Sequence, residues 1–238
     1  MTPLKRDKLY QGKAKTLYQT DDPDLLIADF RDDTTAFDGE KKATLQDKGS
    51  VNNQISAFIM QYLERHGVAT HFVAKLSTHE TLVKKLKMIP LECVVRNVAA
   101  GSLCRRLGIQ EKMELKPPLF EFFLKNDALH DPLVTEDHAL AFAWATQNQM
   151  DSMRSYTLRI NALLQTLFSE AGMILVDSKY EFGVGSDGEI YLGDEISPDS
   201  CRIWDAHTHE VLDKDRFRKD MGRVIESYKE IAHKLGVE

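Results

Sequence analysis

From Ile174 to Glu195 the sequence writes charge at alternate positions of an otherwise apolar run. Ile174-Leu-Val-Asp177-Ser-Lys179-Tyr-Glu181-Phe182 is followed by a Gly183/Gly185/Asp187-Gly188 turn and then by Ile190-Tyr-Leu192-Gly-Asp194-Glu195. Alternation with a period of two fits a strand, whose successive side chains face opposite sides of a sheet. Two such runs joined by a glycine-rich turn predict a β-hairpin. Asp177, Lys179 and Glu181 then share one face, Ser178, Tyr180 and Phe182 share the other, and Asp194 returns near Glu181 if the turn register permits. Two readings of the charged face stay open. It is either the solvated side of an antiparallel hairpin, or a pair of carboxylates around a lysine that can hold Mg²⁺ and a phosphate. The continuation, Ile196-Ser-Pro198-Asp199-Ser-Cys-Arg202-Ile-Trp204, adds an acid and an arginine that a plain edge hairpin does not need.

Composition narrows the function classes. With 238 residues, 42% hydrophobic and 29% charged, the chain can bury a real core as one large domain or two intimate lobes. No apolar run approaches the ~20 residues that a bilayer requires, and Met1-Thr-Pro-Leu-Lys-Arg-Asp-Lys lacks the apolar core of a signal peptide. A cytoplasmic protein is expected. Three cysteines without a Cys-x-x-Cys pair argue against a disulfide framework or a structural zinc site. Of eight histidines, His207 with His209, and His130 beside Asp131, approach ligand spacing, and the first pair fits a surface position better. A net charge of -6 argues against polynucleotide binding, so an anionic ligand must be met by a local cluster of cations.

Along the chain, Leu9-Tyr10, Thr16-Leu17-Tyr18 and Leu25 to Phe30 read as strands, the first two joined across Gly12. Asp32 to Gly39 is polar and reads as a loop. Helical spacing is clear in Val51, Ile55, Phe58, Ile59, Tyr62 and Leu63 up to Gly67. It recurs in Tyr156, Ile160, Leu163, Leu164, Leu167 and Phe168 up to Gly172, and from Phe217 through Leu235 before Gly236. Thr81 to Met88 and Leu91 to Asn97 predict consecutive strands joined at Ile89-Pro90, a hinge between lobes. Strands first, then strands mixed with helices, favour an α+β fold over a doubly wound sheet.

Three further segments carry charge in a form that suits phosphates. Lys13 and Lys15 flank Ala14 just after Gly12, so in an extended segment both ammonium groups project from the same face, beside a backbone that a ligand can approach closely. In Arg96-Asn-Val-Ala-Ala-Gly101-Ser102 a predicted helix begins at Ser102 as its N-cap and stops at Gly108, so free N-H groups, a hydroxyl and an arginine converge as for a monophosphate. Arg105 and Arg106 read as solvated. Lys125-Asn-Asp127-Ala-Leu-His130-Asp131 gathers charge in a predicted loop. Spread over separate loops, these groups suit a large anionic substrate pair with bound metal.

The same segments, in order, resemble the SAICAR synthetase family. The matching motifs are Gly12-Lys-Ala-Lys15, Asp33-Thr-Thr-Ala-Phe-Asp38-Gly39, Val94-Val-Arg-Asn-Val-Ala-Ala-Gly-Ser102, Leu124-Lys-Asn-Asp127, Asp177-Ser-Lys-Tyr-Glu-Phe-Gly183, and Gly193-Asp-Glu-Ile-Ser-Pro-Asp199 with Arg202-Ile-Trp204. They run from about Leu9 to Gly236 and resemble the stand-alone bacterial form, without a fused carboxylase. The resemblance implies ATP-dependent joining of L-aspartate to the carboxylate of carboxyaminoimidazole ribonucleotide (CAIR), giving SAICAR, ADP and phosphate. It further implies Mg²⁺, a homodimer, and a SAICAR-synthase fold with an ATP cleft between two lobes. Residues 1-88 would form an N-terminal antiparallel-sheet lobe similar to those of kinases and ATP-grasp enzymes, and residues 89-238 a larger mixed α/β lobe that binds substrate.

Site residues follow from the same resemblance. Lys13, Ala14 and Lys15 would lie at the ATP phosphates, and Lys84 and Met88 near adenine. Glu181 and Asp194 would bind nucleotide or its Mg²⁺. Arg96 and Ser102 would take the ribonucleotide phosphate, with Arg202, Lys125 and Asp199 also on the substrate side, and Glu92 with Asp131 would hold a second metal. Lys179 and Asp177 would be catalytic, Asp177 either as base for the aspartate amine or as the partner that orients Lys179. A carboxylate has no adequate leaving group for amide formation, so ATP must activate it. The substrates together bring roughly seven to eight negative charges, which makes positioning and charge neutralisation the main tasks of catalysis. The rival readings are a kinase-like small-molecule phosphotransferase, although no His-Arg-Asp or Asp-Phe-Gly sequence is present, and a nucleotide sensor without turnover.

Overall fold

A computed structural model describes residues 3-36 and 39-237. In chain order, β1 (Lys5–Gln11), β2 (Lys15–Thr20), β3 (Leu25–Phe30), β4 (Asp33–Ala36) and β5 (Lys41–Thr44) precede α1 (Lys48–Arg65). Then come β6 (Phe72–Lys75), β7 (Glu80–Lys84), β8 (Lys87–Val98), α2 (Ser102–Leu107), β9 (Glu114–Leu124) and β10 (Leu133–Val134). The remainder comprises α3 (Glu136–Ala141), α4 (Gln147–Glu170), β11 (Met173–Val184), β12 (Ile190–Gly193), β13 (Cys201–Asp205), α5 (Asp215–Arg218) and α6 (Val224–Lys234).

Two large antiparallel sheets and a two-stranded ribbon, β4-β5, result among the described residues. The first has the order β1-β2-β3-β7-β6, and the second has the order β10-β9-β8-β11-β12, with β13 also pairing β11. The architecture is the expected α+β fold. Strand β3, Leu-Leu-Ile-Ala-Asp-Phe, lies between β2 and β7 and contributes Leu26, Ala28 and Phe30 to a small core with Val83. The main core lies against the second sheet. There α1 supplies Ile55, Ile59 and Leu63 and α4 supplies Ile160, Leu164 and Phe168, packed with Leu91, Cys93, Tyr180 and Phe182. Helix α4 starts in a capping box, Thr146 accepting from the Gln149 amide and Gln149 accepting from the Thr146 amide.

Several sequence expectations need correction. Asp33 to Ala36 is not a loop: its threonines pair with Lys41 to Thr44 as a two-stranded ribbon, whereas Phe37 and Asp38 of that motif lie outside the described residues. Ile89-Pro90 is not a junction between strands. β8 runs through it, and the sheets are joined instead at residues 85-86. The proline is tolerated because it falls where the β8 and β11 register slips, between the pairs Glu92 with Glu181 and Met88 with Gly183. The expected helix from Phe217 to Leu235 is broken into α5 and α6, because Asp220, Gly222 and Arg223 all take positive φ. Ser102 is the first residue of α2, not its cap, which is Gly101.

The charged hairpin is present, with Glu181 opposite Gly193 and Val184 opposite Ile190. It is no solvated edge. β11 is flanked by β8 on one side and by β12 and β13 on the other, and Asp177 and Glu181 are 5% and 2% exposed. Charges so enclosed survive only with partners.

Candidate active site

Two cavities open along the charged face of β11. The larger, about 580 Å³, runs between the sheets past the Gly12 to Lys15 turn, Lys84, Met88, Lys125, Asp131, Glu181 and Asp194. The smaller, about 250 Å³, is lined by Arg96, Ser102, Asp177, Arg202 and Arg218. Glu92, Lys179, Asp199 and Ser200 line both, so the cavities meet along a shared seam.

In the larger cavity Lys13, Lys15, Lys125 and Lys179 are held by acids. The Gly12 amide closes on the Lys15 carbonyl at 2.9 Å, so Lys13 and Ala14 form a tight turn rather than an extended run. Lys13 reaches Asp127 at 2.8 Å, and Lys15 crosses to Asp194 and Glu195. Lys179 Nζ lies 2.5 Å from Glu181 Oε1 and 3.3 Å from both Asp194 Oδ2 and Glu92 Oε1. Lys125 caps the other oxygen of Glu181. Burial opposes charge on Lys179, but Glu181, Asp194 and Glu92 more than offset it and hold the ammonium far above its ordinary range. Burial likewise opposes the charge of Asp194, yet Lys15 and Lys179 keep it strongly acidic. Glu92 moves the other way, raised by burial in spite of Lys179. At the rim Lys84 stands over the Tyr191 ring at 3.8 Å, and Met88 is 40% exposed.

In the smaller cavity Asp177 Oδ2 accepts from Arg202 Nη1 at 2.8 Å and from Arg96 Nη1 at 3.2 Å. Arg96 is also tied to Glu121 at 2.7 Å and reaches Ser102 Oγ at 3.4 Å, and Arg202 Nε donates to Asp215 at 2.9 Å. Asp177 therefore aims two arginines, and among the described residues its ion pairs are with them and not with Lys179. Gly101 is required here. Its φ is +60°, and a Cβ would stand 2.5 Å from the Arg202 guanidinium. Cys93 and Cys201 are buried thiols pushed up to about 12 by burial, which leaves them unreactive.

The two cavities thus bring together the expected residues from both sheets: Lys13, Ala14, Lys15, Lys84, Met88, Lys125, Asp131, Glu181 and Asp194 in one, Arg96, Ser102, Asp177 and Arg202 in the other, and Glu92, Lys179 and Asp199 between them. Others escaped the sequence reading. His71 lines the larger cavity, with burial and the nearby Lys15 lowering its pKa to about 3. Lys48, 1% exposed, pairs with Asp199 at 2.8 Å, and Tyr228 donates to the same carboxylate at 2.7 Å. Neither Lys48 nor Tyr228 lies near Asp199 in sequence, so no local pattern marks them. Lys214 and Asp215 precede the helical pattern that begins at Phe217, and Arg218, within it, is not one of its apolar positions.

A cleft lined by lysines and acids, joined to an arginine pocket, defines an enzyme that handles more than one phosphorylated or carboxylated substrate. The SAICAR synthetase family model matches residues 8-235. Phosphoribosylaminoimidazole-succinocarboxamide synthase of Coxiella burnetii is 66% identical over 238 residues, covering 100% of this chain and 99% of that protein. Among solved structures, the same enzyme from Ehrlichia chaffeensis superposes with a TM-score of 0.95 at 45% identity, covering 98% of this chain and 99% of that one. A SAICAR synthetase in complex with ADP superposes with a TM-score of 0.93 at 46% identity, covering 96% of this chain and 97% of that one. The chain belongs to the SAICAR synthetase family. It is an ATP-dependent carboxylate-amine ligase of purine biosynthesis.

Proposed function

We propose that the two connected cavities divide the substrates, ATP in the larger and CAIR in the smaller, with L-aspartate attacking at the seam. The observation that carries this is the set of four residues, Glu92, Lys179, Asp199 and Ser200, that line both cavities. A relative solved with ADP supports the nucleotide assignment. On this reading Lys13, Ala14 and Lys15 bind the polyphosphate, and Lys84 and Met88 flank the base at the rim. Arg96, Ser102 and Arg202 bind the ribonucleotide phosphate, a bidentate task for guanidinium groups held in fixed orientation. On the same reading the lobes are residues 1-88 and 89-238 but for the first two residues of β8, which begins at Lys87 in the second sheet.

The chemistry joins the cavities. A CAIR carboxylate oxygen attacks the γ-phosphorus and ADP leaves; the aspartate nitrogen then attacks the acyl carbon, phosphate departs, and the amine gives up a proton. Lys179 lies on the path of the transferred group and neutralises its charge, while Lys125 and Asp199 fix the surroundings. Among the described residues no three His, Cys, Asp or Glu side chains converge as a ready metal cage. Magnesium does not need one, being held by one or two carboxylates with substrate phosphates. Glu181 and Asp194, whose oxygens gather around Lys179, fit that donor set toward ATP; Glu92, which lines both cavities, would with Asp131 of the larger one hold a second ion where the CAIR carboxylate meets the seam. Mg²⁺ would supply charge neutralisation on the polyphosphate and the carboxylate.

A homodimer and a cytoplasmic location belong to the same reading; among the described residues no helix is long and apolar enough to cross a membrane. Omitting substrates one at a time tests the assignment. ADP release is expected only when CAIR, L-aspartate and Mg²⁺ are all present, and full ADP release without aspartate would count against it. Glu181→Ala is expected to abolish the Mg²⁺-dependent rate.

A further inference from the structure

On the cavity face of β11 the charged row Asp177, Lys179 and Glu181 continues as Gly183, since side chains two apart in a strand share a face. Glu181 pairs with Gly193 across the β11-β12 hairpin, and directly paired residues also share a face. The row therefore ends in a diagonal pair of bare glycines. Neither takes positive φ, so neither is there for a backbone shape closed to other residues, and glycine inside a strand weakens it. Their use is space. A Cβ on Gly183 would stand 2.7 Å from Leu86 Cβ, 3.0 Å from Met88 Sδ and 3.1 Å from the Lys87 carbonyl oxygen. On Gly193 it would stand 3.1 Å from Met88 Cε and 3.3 Å from both Met88 Sδ and Leu86 Cδ1. Leu86, in the link between the sheets, and Met88, at the start of β8, thus lie directly on this glycine floor. Both line the larger cavity, together with Leu26, Ala28 and Val83 of the first sheet.

We propose that Gly183 and Gly193 are positioning residues for nucleotide binding, a floor whose depth sets where Leu86 and Met88 stand and so the room left for the base. This rests on the assignment of ATP to the larger cavity. A side chain on the floor raises Leu86 and Met88 toward the cavity, because the floor belongs to the face on which Glu181 lines it. The two glycines differ in degree. Leu86 Cβ and the Lys87 carbonyl are fixed to the main chain, so a methyl on Gly183 displaces the link itself. Over Gly193 the obstacles are the ends of flexible side chains, which turn aside at smaller cost.

Steady-state KM values for ATP, CAIR and L-aspartate in Gly183→Ala, Gly193→Ala, Met88→Ala and the double variant Gly193→Ala/Met88→Ala test the floor. In Gly183→Ala the ATP KM is expected to rise at least about tenfold, with CAIR and aspartate KM held within about twofold, and in Gly193→Ala to rise about threefold to fivefold. In the Met88→Ala background, where the sulfur and methyl above Gly193 are gone, the same Gly193→Ala change is expected to raise ATP KM by less than about twofold. A merely structural role would lower the melting temperature without this split between substrates or its relief. An unchanged ATP KM in either glycine variant, an equal rise in CAIR KM, or a Gly193→Ala effect undiminished without Met88 overturns the proposal. If Gly183→Ala does not fold, Gly193→Ala and its cycle with Met88 carry the test alone. Failure of the underlying assignment is separable, because Lys15→Met would then leave ATP KM unchanged as well.

Discussion

Lys15, the first residue of β2, pairs with Asp194 just beyond β12, so the two sheets meet in an ion pair at the wall of the larger cavity. The contact is 179 positions apart in sequence and also engages Glu195. Burial and Asp194 raise the pKa of Glu195, a sign that the two acids tolerate each other only with the lysine present.

Lys15→Met is expected to raise the KM for ATP by tenfold or more, the loss of a charge-assisted contact worth about 1.5 to 3 kcal/mol. The melting temperature should also fall more near pH 8 than near pH 5, because without the lysine only protonation relieves Asp194 and Glu195. Calorimetric melts across that range check the sign, and an equal loss at both pH values would contradict it.

Asp177→Asn should act through Arg96 and Arg202. With the one carboxylate they share neutralised, the two guanidinium groups repel, and CAIR KM is expected to rise about tenfold to a hundredfold, roughly 1.5 to 3 kcal/mol, with kcat changed only a few-fold. Collapse of kcat at constant KM would instead mark Asp177 as a group acting on the reacting atoms.

Lys48 and Asp199 form a buried pair, the side chains 1% and 5% exposed. Lys48→Met removes the ion pair from a carboxylate that keeps Tyr228 and Asn52 as hydrogen-bond donors, and should destabilise the fold by up to about 3 kcal/mol, the lower end for breaking a buried pair. Adding Asp199→Asn should recover part of that loss. Urea unfolding of both single variants and the double closes the cycle, and additive losses would refute the coupling.

Asp213, fully buried, accepts from the Ile203 and Asp215 amides, and burial followed by repulsion from Asp215 pushes its pKa up to about 7. The unfolded carboxyl ionises near pH 4, so between about pH 4 and pH 7 the folded state keeps a proton that the unfolded state has lost. Stability from this group is therefore present in acid and lost as pH rises through that window, by roughly 4 kcal/mol. Measured by denaturant unfolding near pH 5 and near pH 8, the parent should lose stability relative to Asp213→Asn as pH rises. A difference that stays flat or grows would contradict the assignment.

Much of this site was legible because its pieces are local. Gly12 to Lys15, Arg96 to Ser102 and the alternation from Asp177 to Glu181 each carry their chemistry within a few residues, and the hairpin register brought Asp194 to Glu181 through a short turn. What stayed hidden depends on distant pairing. The partners of Asp177 are set by the alignment of β11 with β8 and β13, and β13 itself is only five residues long. The buried environment of the charged face follows from β11 being central, which alternation alone does not reveal. The break between α5 and α6 depends on three positive φ values, of which only that at Gly222 leaves a mark in the sequence.

The division of substrates between the two cavities is tested most directly by titration calorimetry of ATP with Mg²⁺, and separately of CAIR, against the parent, Arg96→Ala and Lys15→Met. Arg96→Ala is expected to weaken CAIR at least about tenfold and leave ATP within about twofold, and Lys15→Met to do the reverse. Unchanged CAIR affinity in Arg96→Ala, or equal weakening of both ligands in either variant, would contradict the division.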